Sequence, residues 1–231
     1  MSKKISNFDS IEKNIDFAVE LCQKKYSEDE IINILYGYDD IQKCIAIMNI
    51  DVIKTQEVAN LLISHLTNQG GTVREAVAIK LELLFNNENN IKFFQSDYIV
   101  NTICDAIIDI NPNISRLILT LINKIQNQEL ILKNISEKIK KYLDNILQSD
   151  VLQNHQINKF YFKIYWLLEA LYVLNNIDIK PFEPLLDKIS NLPEYTVREK
   201  TALIVNKYPV LRKLKDKLSN DNNYYVKRVF N

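Results

Sequence analysis

The chain has 231 residues, of which 47% are hydrophobic and 25% charged, values of a folded globular chain rather than of a disordered or fibrous one. Its 29 basic and 29 acidic residues give zero net charge, which argues against a whole-molecule electrostatic hold on nucleic acid. Three Gly and five Pro are too few for a sheet-rich or loop-rich fold.

In chain order, nearly every segment reads as helix. Ile11, Ile15, Phe17, Ala18, Leu21 and Cys22 recur at helical spacing, with Asp9 or Ser10 as N-cap. Ser27-Glu28-Asp29-Glu30 is a capping box that opens a short helix ending at Gly37. Asp39-Asp40 starts another, through Met48. From Thr55 the pattern becomes paired. Thr55 to Asn68 places Val58, Leu61, Leu62 and Leu66 on one face, Gly70-Gly71 makes a turn, and Thr72 to Phe85 forms the second helix. Further pairs follow at 93–110 and 113–126, hinged at Asn111-Pro112, and at 129–148 and 155–174, joined by a polar turn from Asp150 to His155. The last pairs are 182–190 with 196–208 and 210–218 with 223–230. Pro112, Pro181, Pro184, Pro193 and Pro209 all fall at or near these boundaries, where proline is tolerated.

One opening occurs twice: Thr72-Val73-Arg74-Glu75 and Thr196-Val197-Arg198-Glu199, with Ala78 and Ala202 extending the match. Weaker echoes are Ile114-Ser115, Ile157-Asn158 and Val226-Lys227. Positions 73, 114, 157, 197 and 226 are separated by 41, 43, 40 and 29 residues, a period that with two helices per repeat predicts a stacked solenoid. The T-x-x-E spacing predicts that Thr72 and Thr196 are N-caps. The final hairpin, ending Val226-Lys227-Arg228-Val229-Phe230, has no following repeat to cover it. It is expected either to fold back onto the 196–218 helices or to contact a partner or a second copy, if it does not fray.

On these residues the chain resembles the HEAT-repeat family, whose second helices commonly open with Val-Arg followed by a small residue. The resemblance covers 55–231; it is good at 73–78 and 197–202 and poor at 114 and 157, where Ser115 and Asn158 replace the Arg. That family often places an Asp in the turn before Val-Arg, where this chain has Gly70-Gly71 and Pro193-Glu194. The resemblance implies an all-α, right-handed α-solenoid of HEAT-like hairpins over 54–231, continuous with a helical cap at 1–53. Second helices would line its concave face.

Candidate partner-binding residues are Arg74, Lys159, Tyr165, Trp166, Arg198 and Lys227. For Arg74 and Arg198 the competing role is a hydrogen bond to a neighbouring loop. The segment Phe160-Tyr161-Phe162-Lys163-Ile164-Tyr165-Trp166 is the richest in aromatics. Phe160, Ile164, Leu167, Leu171 and Leu174 form a core stripe. Tyr165, Trp166 and Tyr172 either belong to that core or open onto the groove as anchors.

His65 and His155 are isolated, and neither sits at metal-ligand spacing; no phosphate loop, dinucleotide fingerprint or nucleophile elbow occurs, so no cofactor is expected. Cys22, Cys44 and Cys104 are widely spaced and odd in number, as for reduced thiols in a cytoplasmic protein. Met1 to Asn7 lacks the apolar stretch of a signal peptide, and the longest apolar segment, Ile164 to Leu174, is broken by Glu169 and too short for a bilayer. Charge is uneven: residues 1–53 carry 6 basic and 10 acidic groups, residues 155–231 carry 13 and 8. The expected function is therefore a non-enzymatic scaffold that binds a protein or peptide. The alternative is nucleic-acid binding, in the manner of the HEAT-like DNA alkylation-repair glycosylases. It would draw on Lys207, Arg212, Lys213, Lys215, Lys217, Lys227 and Arg228 with Tyr224 and Tyr225, and on Trp166 with Glu169. A chromophore-handling protein of the bilin lyase kind is a further possibility that no residue selects.

Overall fold

The computed structural model describes residues 24–37, 39–148 and 154–231. Among the described residues there are 13 α-helices, short 3₁₀ turns and no strand. The helix expected at 11–22, with its Asp9 or Ser10 cap and Cys22, lies outside the described residues, as does most of the turn expected at 150–155.

The first hairpin is α1 (Glu28–Tyr36) with α2 (Asp40–Met48). Ser27 caps α1 in a complete capping box: its Oγ accepts from Glu30 N at 3.3 Å, and Glu30 Oε2 accepts from Ser27 N at 2.9 Å. Asp39 caps α2 by accepting from Gln42 N. The second hairpin is α3 (Gln56–Ser64), capped by Thr55, with α4 (Gly71–Leu84). Here the structure corrects the reading of the T-x-x-E motif. Gly70, not Thr72, is the N-cap of α4, and it makes no side-chain cap. The last helix pair but one repeats the correction: Glu194, not Thr196, caps α11 (Tyr195–Lys207), accepting from both Thr196 N and Thr196 Oγ1. Both helices begin a residue before the threonine, which frees the glutamates of the motif for other partners.

After α4 comes a short helix the sequence reading missed, α5 (Glu88–Ile91), followed by a 3₁₀ turn, Lys92–Phe94. Asn90 in α5 is buried and spans two elements. Its Oδ1 accepts from Ile53 N at 3.0 Å and its Nδ2 donates to Leu84 O at 3.1 Å. The remaining hairpins are α6 (Asp97–Ala106) with α7 (Pro112–Leu121), α8 (Gln128–Leu147) with α9 (Asn154–Val173), and α10 (Glu183–Ile189) with α11. The final pair, α12 (Arg212–Ser219) and α13 (Tyr224–Lys227), packs on α11.

Contacts between helices follow chain order in two rows. The second helices touch in the sequence α2, α4, α7, α9, α11, α13, and the first helices α1, α3, α6, α8, α10. Apolar residues between the rows form one continuous buried core. Val73, Ile114, Val197 and Val226 are each the third residue of their helix and each fully buried, as the repeat spacing required.

Ile157 is the exception. It is only half-buried, and the first fully buried side chain of α9 is Ile164. The buried set Val77, Ala78, Leu81 and Leu84 of α4 recurs at the same spacing as Ile118, Leu119, Ile122 and Ile125 around α7, and as Leu167, Leu168, Leu171 and Leu174 on α9. Position 163, rather than 157, thus stands opposite Val73. The cause is length: α8 and α9 have 20 residues each, against 10 in each of α6 and α7, so this hairpin starts its core face well inside α9.

Candidate functional site

Helix α9 divides its aromatic side chains between two faces. Ile164, Leu167, Leu168, Leu171 and Leu174 are fully buried, so core packing fixes the rotation of the helix. Phe162, Tyr165, Glu169 and Tyr172 recur at three- and four-residue intervals on the opposite side and keep part of their surface open. Trp166 lies at the border, 6% exposed, with its ring edge-on to both Phe162 and Tyr165 at centroid distances of 6.2 and 5.6 Å. It is therefore mostly core, yet it lines a cavity.

Three adjoining cavities run along this face. The first, of about 440 Å³, lies between α7 and α9 and is bounded by Arg116, Thr120, Tyr165, Trp166 and Glu169. The second, about 490 Å³, lies toward α11, where Tyr161, Phe162 and Tyr165 meet Glu194 and Thr196. The third, about 540 Å³, sits at the N-terminal end of α9 among Ile108, Ile110, Lys159, Phe162 and Lys163. Tyr165 is shared by the first two and Phe162 by the last two, so together they form a trough along α9.

Electrostatics in the trough are local and mixed. Arg116 from α7 lies over the Trp166 ring at 5.9 Å and donates to Asn113 Oδ1 at 3.1 Å. Glu169 forms an ion pair with Lys200 of α11, the two side chains being 21% and 12% exposed. The Lys200 ammonium also sits 5.2 Å from the Tyr165 ring and 5.6 Å from that of Tyr172. Burial, and then Glu194, push the Tyr161 phenol up from its ordinary range. The indole N–H of Trp166 is buried and has no hydrogen-bond partner.

Of the residues singled out in the sequence, Lys159, Tyr165 and Trp166 come together in this trough. Arg74 and Arg198 do not. Arg74 Nε and Nη2 donate to Asp109 at 2.8 and 3.1 Å, and Nη1 donates to Gln69 O. Arg198 holds Asp221 at the same two distances and donates to the carbonyls of Leu192 and Pro193. Both guanidinium groups are thus taken up by neighbouring loops, the structural role weighed for them. The acceptors were missed because they lie in the turn within the next hairpin: Asp109 is five residues before Ile114, and Asp221 five before Val226. Each Asp also accepts from a backbone N–H two residues on, Asn111 N or Asn223 N, and each of those Asn side chains caps the next helix. Lys227 is half-buried on α13, beside Asp221. The sequence reading did not single out Arg116, Phe162, Lys163 or Lys200 as site residues; helical spacing from Trp166 or from the α11 opening points to the last three, and nothing local points to Arg116 on α7.

His65 bridges backbone carbonyls of two helices, with Nδ1 2.8 Å from Leu61 O and Nε2 2.9 Å from Leu35 O. Among the described residues, no three His, Cys, Asp or Glu side chains converge as a metal-binding group, and no helix is long and apolar enough to cross a membrane. Compared with protein-family models, with curated proteins and with solved structures, the chain finds no match.

Proposed function

We propose that this protein is a non-enzymatic α-solenoid of HEAT-like hairpins that binds a protein or peptide partner in the trough along α9. The observation that carries this reading is the row of partly open aromatic side chains, Phe162, Tyr165 and Tyr172, on a helix whose other face is locked into the core. Aromatic residues on a rigid support are effective anchors because they bury much area at small entropic cost. The two ordered rows of helices support the solenoid reading, since each hairpin contacts chiefly its neighbours.

The side-chain chemistry of the protein also favours binding over catalysis. Glu169 is neutralised by Lys200. The thiol of Cys104 is buried and pushed up to about 12, so at neutral pH it is not a thiolate. Nucleic acid is the less favoured ligand, because a phosphate backbone following the trough meets Glu194 within its length and finds Lys200 already paired with Glu169. A cytoplasmic location is part of the same proposal, consistent with the unpaired Cys44 and Cys104.

The test is to pan a library of displayed random peptides on the full chain. Selected peptides should bind the parent and lose affinity to Phe162→Ser and Arg116→Gln. If every selected peptide binds these variants as tightly as the parent, or if none is selected, the trough is not the binding face. A single-stranded oligonucleotide that binds instead, with strong salt dependence, assigns the surface to nucleic acid.

A further inference from the structure

The N-terminal end of the trough differs from the rest in charge. Position 163 stands where Val73, Ile114 and Val197 are fully buried in the other hairpins, yet it is a lysine. Its ammonium lies 5.0 Å from the Tyr142 ring of α8, which holds the side chain against the hairpin. Burial first, and then the nearby Lys141 and Lys159, lower its pKa. None of Lys141, Lys159 and Lys163 forms an ion pair among the described residues. The carboxylates at the C-terminal end of α6 and in the turn after it are already engaged, Asp105 by Lys138 and Asp109 by Arg74.

Beside these lysines the surface is apolar. Ile110, at the tip of the turn between α6 and α7, is 80% exposed, and Phe162 is 37% exposed. Both border the cavity of about 540 Å³ into which Lys159 and Lys163 also face. Further along, the trough passes Glu194 and the neutral Glu169–Lys200 pair. Arg116 stands singly further on, whereas two lysines, with Lys141 near them, gather at this end next to an apolar wall.

We infer that this end of the trough recognises an acidic segment of a partner protein, in which Asp or Glu residues flank a large apolar side chain that enters between Ile110 and Phe162. Lys159 and Lys163, with Lys141 behind them, receive the carboxylates. The lysine cluster sets the end at which the acidic residues lie and selects against a uniform polyanion, whose next stretch meets Glu194. This inference rests on the peptide-binding reading of the trough and adds the chemistry and polarity of what it takes.

The experiment uses the peptides selected by panning on the full chain, measured by fluorescence anisotropy. Selected sequences should be enriched in Asp and Glu next to Leu, Ile or Phe, and their affinity should fall as salt rises. The double variant Lys159→Gln/Lys163→Gln should weaken binding by about tenfold or more, Lys159→Arg/Lys163→Arg should retain it, and Ile110→Ser should weaken it separately. A thermal melt of each variant, unchanged from the parent, keeps folding out of the comparison. If the selected peptides are neutral, or bind the Gln variant as well as the parent while Phe162→Ser still disrupts them, the acidic-segment inference is wrong and the trough reading stands. If neither the lysine nor the Phe162 variants affect binding, both fall. If a single-stranded oligonucleotide binds more tightly than any peptide and is lost in the Gln variant, the lysines serve nucleic acid and the inference is overturned.

Discussion

Arg198 reaches Asp221 through the same two contacts, 2.8 Å from Nε and 3.1 Å from Nη2, that join Arg74 to Asp109. In both cases the helix carrying the Arg belongs to one hairpin and the Asp to the turn that opens the second helix of the next. The pairs are fork-shaped and mostly shielded, with side-chain exposures of 14% and 10% for the Arg198–Asp221 pair.

Arg198→Ala is expected to lower stability by about 2 kcal/mol, because it leaves Asp221 and two carbonyls without their donor. Arg198→Lys should recover only part, since an ammonium cannot reproduce the fork. Urea melts measure both. As a contrast, Lys217→Ala, which removes the exposed pair with Asp187, should change stability by less than ~0.5 kcal/mol.

Acid should weaken the same contact. The Arg198 hydrogen bond, helped by Asn223 N, holds the Asp221 carboxyl below its ordinary value of 3.8. A depressed folded-state pKa gives stability that is complete above the unfolded value and is lost as pH falls through the folded one. The contribution is therefore intact at neutral pH, starts to fall near pH 3.8 and is gone only below the depressed folded value. Asp221→Asn should be less stable than the parent at pH 7, with the gap narrowing at low pH in parallel melts.

Helix capping separates two classes of residue that look alike in sequence. Asn111 and Asn223 accept from the backbone N–H two residues on, so Asn111→Ala and Asn223→Ala should each cost about 1 kcal/mol. Thr72→Ala should fall within ~0.5 kcal/mol of the parent, because Thr72 lies inside α4 and caps nothing. Equal losses in thermal melts of Thr72→Ala and Asn111→Ala contradict this assignment.

Asn90 ties the loop before α3 to the end of α4. Asn90→Leu should destabilise by about 2 kcal/mol although it adds apolar bulk, since Ile53 N–H and Leu84 C=O lose their buried partner. Hydrogen exchange at Ile53 reads the effect directly: its amide should become faster in the variant.

The C-terminal hairpin is docked in the way the first alternative for it foresaw. Val226 is fully buried, Asn206 Nδ2 donates to Val229 O, and Arg228 pairs with Glu199. Deleting residues 223–231 should cost at least about 2 kcal/mol, from the Val226 side chain alone. A truncated protein that melts at the parent temperature means the docking contributes nothing.

Much of the fold was legible because local signals decide it. The Ser27 box, the Asp39 cap and the prolines at helix boundaries act within a few residues, and the third-residue positions of Val73, Ile114, Val197 and Val226 follow from periodicity. What was illegible depends on distance in sequence or on length. Asp109 lies 35 residues from Arg74, and a search confined to the turn before each Val-Arg cannot find it. Ile157 kept the period but not the place, since the extra turns of α8 and α9 shift where burial begins. Within the trough the aromatic anchors could be seen on α9, whereas Arg116 and Lys200 reach it from other helices, α7 and α11.

The Arg–Asp clasps are also unevenly placed. They join α4 to the turn before α7 and α11 to the turn before α13, while among the described residues none joins α9 to α7 or α11. There, besides apolar packing and the Lys200–Glu169 pair, Asn123 donates to Val173 O and accepts from Asn175 N, while Lys207 and Tyr208 donate to Leu174 O. Apolar surfaces slide with little directional resistance, whereas a forked ion pair fixes both distance and angle. The Asn123, Lys207 and Tyr208 hydrogen bonds gather at the C-terminal end of α9, so a bending load on the stack opens or narrows the trough chiefly at its Lys159–Lys163 end.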